Sequence, residues 1–127
     1  MPGSLGRVLV VDDDDVIRQL ITVNLELEGF EVATAVDGQD CLDKVQEVDP
    51  VVITLDIMMP RLDGMKVLRE VGSDDDLRGT PVILLSAKAT SLDIELGLKA
   101  GAADYVTKPV DPIELVDRIK SILAKAG

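Results

Sequence analysis

The 127 residues carry 24 acidic side chains against 13 basic ones, a net charge of −11, with 46 % hydrophobic residues and no histidine. That charge repels nucleic-acid phosphates, and the missing imidazole removes histidine base catalysis, histidine metal sites and self-phosphorylation on histidine. A single cysteine excludes an internal disulfide, and with one Phe, one Tyr and no Trp there is little to stack a flavin or a base upon.

The length suits one domain with one hydrophobic core. No apolar run is long enough to span a bilayer, and the opening "MPGSLGRV" lacks the features of a secretory signal. Residues 1–6 therefore read as a flexible leader or cloning remnant, 7–124 as the domain and 125–127 as a tail, with a cytoplasmic setting by default.

The first strand is predicted over Val8–Val11, where "VLVVDDDD" sets four β-favouring side chains against four aspartates. Two carboxylates about 4 Å apart repel by roughly 4 kcal/mol at an effective dielectric of about 20. Either some of them point into water or something cationic sits among them. A helical period runs from Val16 to Glu28, with Ile17, Leu20, Ile21, Asn24 and Leu27 on one side and Gly29 as its stop. Asp14 and Asp15 begin this helix, whose positive dipole end favours a carboxylate by about 0.3–1 kcal/mol. Asp12 and Asp13 are left to face a site.

Phe30–Thr34 predicts the second strand, and Gly38–Val48 a helix opened by Asp37 and closed before Pro50, with Cys41 as a small buried hydrophobe. Val51–Leu55 is the third strand, running into "DIMMPRLDG", and a helix follows from near Gly64 to near Gly72. Pro81–Leu85 is the fourth strand and leads to Ser86. The next helix opens on Thr90-Ser91-Leu92-Asp93, a capping-box pattern, and stops at Gly101. Ala103–Thr107 is the fifth strand and leads to Lys108. "DPIE" then opens the last helix, with Asp111 as cap and Pro112 at the first helical position.

Five β-α units without a long linker or repeat predict a single doubly wound α/β domain. Right-handed crossovers give a parallel sheet of order 2-1-3-4-5 flanked by five helices, the flavodoxin-like arrangement. Ligands in such sheets bind beyond the carboxyl ends of the strands, where the strand order reverses. Asp12, Asp13, Asp56, Ser86 and Lys108 all emerge at that edge. Each alone is an ordinary cap or turn residue; together they bring three carboxylates, a hydroxyl and an ammonium to one place. A hard divalent cation such as Mg²⁺ takes carboxylate, water and phosphate oxygens. A carboxylate can be phosphorylated, and phosphoryl transfer needs positioning and charge stabilisation more than acid-base side chains.

With those residues in view, the sequence from Arg7 to about Leu123 resembles a response-regulator receiver domain of two-component signalling. The resemblance rests on "VLVVDDDD", "DPVVITLDIMMPRLDG", "TPVILLSA" and "GAADYVTKPVDPIEL". It implies that Asp56 accepts a phosphoryl group from a histidine kinase or histidine phosphotransfer protein. It implies a Mg²⁺ ion, with Mn²⁺ able to substitute, held by Asp12, Asp13, Asp56 and the backbone carbonyl of Met58. Ser86 would sense the phosphoryl group, Ala87 would leave it room, Lys108 would balance its charge, and the Lys108–Pro109 bond would be cis. Tyr105 stands at the family's aromatic switch position, turning as Ser86 moves. The fourth helix, fifth strand and fifth helix would report the state to an effector, with Arg118 and Asp104 available for a homodimer through that face. Met58 and Lys88 stand where related domains tune access of hydrolytic water.

The residues leave other readings open: a receiver-like interaction module without phosphorylation, an aspartate-nucleophile hydrolase, or a flavodoxin-like electron carrier. Met58 occupies the place of the hydrolase's second acid, and no Ser/Thr-Gly-rich phosphate loop follows the first strand. A stand-alone regulator and a receiver within a longer protein are both compatible with the sequence.

Overall fold

Strand and helix alternate five times in a computed structural model that describes residues 5–57, 64–77, 79–87 and 90–126. The elements are β1 (Arg7–Val11), α1 (Asp15–Leu27), β2 (Glu31–Ala35), α2 (Gly38–Val48), β3 (Val52–Asp56), α3 (Gly64–Ser73), β4 (Val82–Ser86), α4 (Ser91–Lys99), β5 (Asp104–Thr107) and α5 (Pro112–Ala126). All strand pairs are parallel, and the sheet order is β2-β1-β3-β4-β5. This is the doubly wound, flavodoxin-like arrangement expected from the pattern.

Local chemistry sets the element ends. Asp14, Asp37 and Thr90 cap α1, α2 and α4 by accepting from backbone N–H groups of the first turn. Asp111 Oδ1 does the same for α5, accepting from Ile113 N at 3.0 Å. Gly29, just past the cap of α1, has φ +99°, a conformation that L side chains rarely adopt. β2, β3 and β4 lie one residue further along than their apolar runs suggest, whereas β1 and β5 end where expected. Asp56 and Ser86 are the last residues of β3 and β4, and the ladder continues beyond Asp56 with Ile57 N donating to Leu85 O.

Side chains alternate across the sheet and build two cores. Val8, Val10, Val52, Ile83, Leu85 and Val106 pack under α1 and α5 with Ile21, Leu25, Phe30, Leu115, Val116 and Ile119. On the opposite face Leu9, Val11, Ile53, Leu55, Val82, Leu84 and Tyr105 pack with Cys41, Val45, Val67, Leu68, Val71 and Leu77. Burial in that second core pushes the Cys41 thiol up to about 12, helped by the nearby Asp40 charge, which leaves it an inert apolar filler.

The buried face of α1 differs from the expected one. Ile21 and Leu25 are buried and Ile17 half-buried, whereas Leu20 and Leu27 are 43 % and 78 % exposed. Residues 17, 21 and 25 form one i, i+4 column, and it is this column that faces the sheet and α5. Among the described residues no helix is long and apolar enough to cross a membrane.

Candidate functional site

The four aspartates after β1 part company. Asp12 is fully buried, and its Oδ1 accepts from Asp14 N at 2.9 Å. Asp13 is exposed. Asp14 Oδ1 caps α1, accepting from Val16 N and Ile17 N at 2.9 and 3.1 Å. Asp15 pairs with the Arg18 guanidinium, whose Nη1 also donates to the carbonyl of Asp12 at 2.9 Å. The run thus divides in space: Asp12 and Asp13 lie in a cluster with Asp56, and Asp14 and Asp15 engage the first turn of α1. Arg18 lies inside α1 and stands at no strand end, so the strand-end motifs do not mark it. Its signal is a cation near a helix N-terminus, where the dipole disfavours positive charge unless a local partner demands it.

The register brings the remaining groups alongside. Val11 pairs with Leu55, which sets Asp12 beside Asp56; Asp56 pairs with Leu85, and Ser86 with Thr107. Asp56 is 3 % exposed. Lys108 Nζ donates to Asp56 Oδ2 at 3.0 Å and lies 3.3 Å from Asp12 Oδ2. Oxygen atoms of Asp12, Asp13 and Asp56 all fall within 4.8 Å of one another.

The electrostatics follow from this crowding. Burial raises the pKa of Asp12 above the ordinary carboxylate value, with the Asp56 charge adding to it. The Asp14 N–H and the Lys108 ammonium pull in the other direction. For Lys108 burial favours the neutral amine, yet its hydrogen bond to Asp56 and the attraction of both carboxylates outweigh burial and leave its pKa raised.

The donor set fits a hard cation. Asp12 Oδ2 has no aligned hydrogen-bond donor among the described residues, although it is fully buried and Lys108 attracts it by charge. A buried carboxylate oxygen short of a donor, beside one exposed and one nearly buried carboxylate, is an all-oxygen site of the kind Mg²⁺ takes. Met58, expected to add its carbonyl, and Lys88 lie outside the described residues.

Ser86 is fully buried and, by strand alternation, lies on the face of Val82 and Leu84, opposite to that of Asp56. Tyr105 is 6 % exposed and belongs to the core on that same face. Lys108 N donates to Ser86 O at 2.8 Å, fixing the loop after β5 to the end of β4, and the Lys108–Pro109 bond is cis as expected. Arg118 and Asp104, expected at a pairing face, pair with each other within the chain. Arg118 Nη1 donates to both Asp104 oxygens at 2.8 and 2.9 Å, and these bonds together with Glu114 raise the arginine pKa.

A family model described as the response regulator receiver domain matches residues 8–120. The receiver domain of the Francisella response regulator 1452 is 36 % identical, with 96 % of this chain and 99 % of that chain covered and a TM-score of 0.90. A CheY-like response regulator receiver domain protein of Methanospirillum hungatei is 32 % identical, covering 97 % of each chain at a TM-score of 0.88. The chemotaxis protein CheY4 of Vibrio cholerae is 30 % identical, with 93 % and 98 % covered and a TM-score of 0.87.

Proposed function

The chain belongs to the response regulator receiver domain family, and from that premise we propose that it is a switch set by phosphorylation of Asp56, the donor being a phosphohistidine on a histidine kinase or phosphotransfer protein. An Asp56 carboxylate oxygen attacks phosphorus; the new P–O bond forms as the P–N bond breaks, and the imidazole leaves and takes up a proton from solvent. Lys108 balances charge on the transferred group, and the Ser86 hydroxyl donates to one of its oxygens. Asp12, Asp13, Asp56 and the Met58 carbonyl would hold Mg²⁺, or Mn²⁺ in its place. When bound, the ion supplies positive charge against the phosphoryl oxygens.

The observation that carries this reading is the Lys108 ammonium, 3.0 Å from Asp56 and 3.3 Å from Asp12, at the mouth of a three-carboxylate cluster. In this reading residues 7–124 are the receiver unit, working in the cytoplasm, and their chemistry is confined to self-phosphorylation and slow self-dephosphorylation. A charge-assisted hydrogen bond from Ser86 contributes about 1.5–3 kcal/mol, enough to tilt two conformations by roughly ten- to one-hundredfold. Tyr105 would pass that tilt to the α4-β5-α5 face, which would meet an effector or a second copy.

The direct experiment is labelling by a small phosphodonor with Mg²⁺, together with Mg²⁺-dependent binding of beryllofluoride. Native protein is expected to label and bind, and Asp56→Asn to lose the label completely. Labelling that survives in Asp56→Asn, or no response of the native protein to either reagent, overturns the reading in favour of an interaction module without phosphorylation.

A further inference from the structure

Gly97 is the one buried residue of α4, and its backbone conformation does not call for glycine. Glycine inside a helix is unfavourable relative to alanine, so its presence needs a reason in space. A Cβ built there would lie 2.9 Å from Leu84 Cδ1, 3.0 Å from Tyr105 Cδ2 and 3.3 Å from Tyr105 Cε2. The edge of the tyrosine ring therefore rests directly on the backbone of α4. The neighbouring side chains do little to hold the helix: Ile94 is only half-buried on the core, and Leu92, Leu96 and Leu98 are exposed.

We propose that Gly97 is the positioning residue of Tyr105: its bare Cα forms the notch that receives the ring edge, so ring position and the seating of α4 on the sheet change together. This rests on the reading of Tyr105 as the switch residue only for its regulatory meaning; the notch itself stands on geometry. A methyl at position 97 competes with the ring for one volume. Either the ring turns outward or α4 lifts, and both expose the phenol.

Tyr105 is the protein's only tyrosine and there is no tryptophan, so tyrosine emission reports this ring alone. The experiment compares acrylamide quenching of that emission in native protein, Gly97→Ala and Gly72→Ala, with beryllofluoride affinity measured in parallel. Gly72 is a helical glycine with nothing within 4 Å of a built Cβ, so Gly72→Ala is expected to leave quenching unchanged. Gly97→Ala is expected to raise the quenching constant about twofold as the ring loses core protection. A folded Gly97→Ala with native quenching overturns the proposal, whatever its beryllofluoride affinity. Raised quenching with native affinity upholds the notch and instead removes Tyr105 from the switch. If Gly97→Ala does not fold, Gly97→Ala/Tyr105→Ala decides: folding of the double variant supports competition with the ring, and failure of both assigns the clash elsewhere and overturns it.

Discussion

The two faces of the sheet are built differently. Under α1 and α5 the core is aliphatic apart from Phe30, and α5 alone buries Leu115, Val116 and Ile119. On the other face α4 is seated through a glycine and a half-buried isoleucine against an aromatic ring. Strand alternation assigns Asp56 to the first face and Ser86 and Tyr105 to the second. The charged groups thus stand at the rim of the side held by α1 and α5, where fixed geometry lets an ammonium and carboxylates meet at hydrogen-bond distance. The groups expected to move sit on the side where little side-chain volume holds the helix.

Truncations measure that contrast most directly. Ile119→Ala is expected to lower unfolding free energy by about 2–5 kcal/mol, and Ile94→Ala by about 1–2 kcal/mol because Ile94 is only half-buried. Equal losses in urea denaturation would erase the difference between the seating of α5 and that of α4.

At the rim, Lys108→Met leaves Asp12 and Asp56 without their shared cation. It is expected to cost about 2–3 kcal/mol at neutral pH, at the low end for a buried pair because the ammonium is partly exposed. Millimolar Mg²⁺ should recover much of that loss, as seen by thermal melts with and without chelator; a melt indifferent to Mg²⁺ would detach the ion from this cluster.

Asp12 gives a smaller effect with a definite sign. Its folded-state pKa is raised, so the stability tied to its neutral form is complete below about 3.8 and is lost as pH rises through the folded value. Asp12→Asn, which keeps an oxygen for Asp14 N, is therefore expected to gain stability at neutral pH without Mg²⁺. The gain should vanish in acid, and a pH series of urea midpoints reads it. The smallest effect is expected at Thr54, whose buried Oγ1 has no hydrogen-bond partner among the described residues. Thr54→Val should raise stability by up to about 1 kcal/mol, and a loss would point to a buried water serving the hydroxyl.

Much of this site was legible because strand ends announce themselves. An apolar strand run leading to Asp, Ser or Lys marks where a buried strand reaches solvent, and four such ends in a chain of alternating strands and helices leave one edge for them to share. The division of Asp12–Asp15 was readable from helix-dipole and capping chemistry alone. The buried face of α1 was not, because Val16, Ile17, Leu20, Ile21, Val23, Leu25 and Leu27 offer more than one apolar stripe. Contact with the sheet and α5 selects among them. Gly97 carries no local signal either, since its reason lies in a ring eight residues away in sequence and across a helix-strand contact.

The register of the ladder has an evolutionary corollary. Asp12 and Asp56 stand on one rung, Ser86 one rung above, and Lys108 one above that. A single-residue slip in β3 or β4 would leave a sound parallel sheet while sending the carboxylate or the hydroxyl to the wrong side. Insertions are therefore expected to accumulate in the connections at the amino end, such as residues 74–81 between α3 and β4, while the span of each strand up to its functional terminus keeps a fixed length.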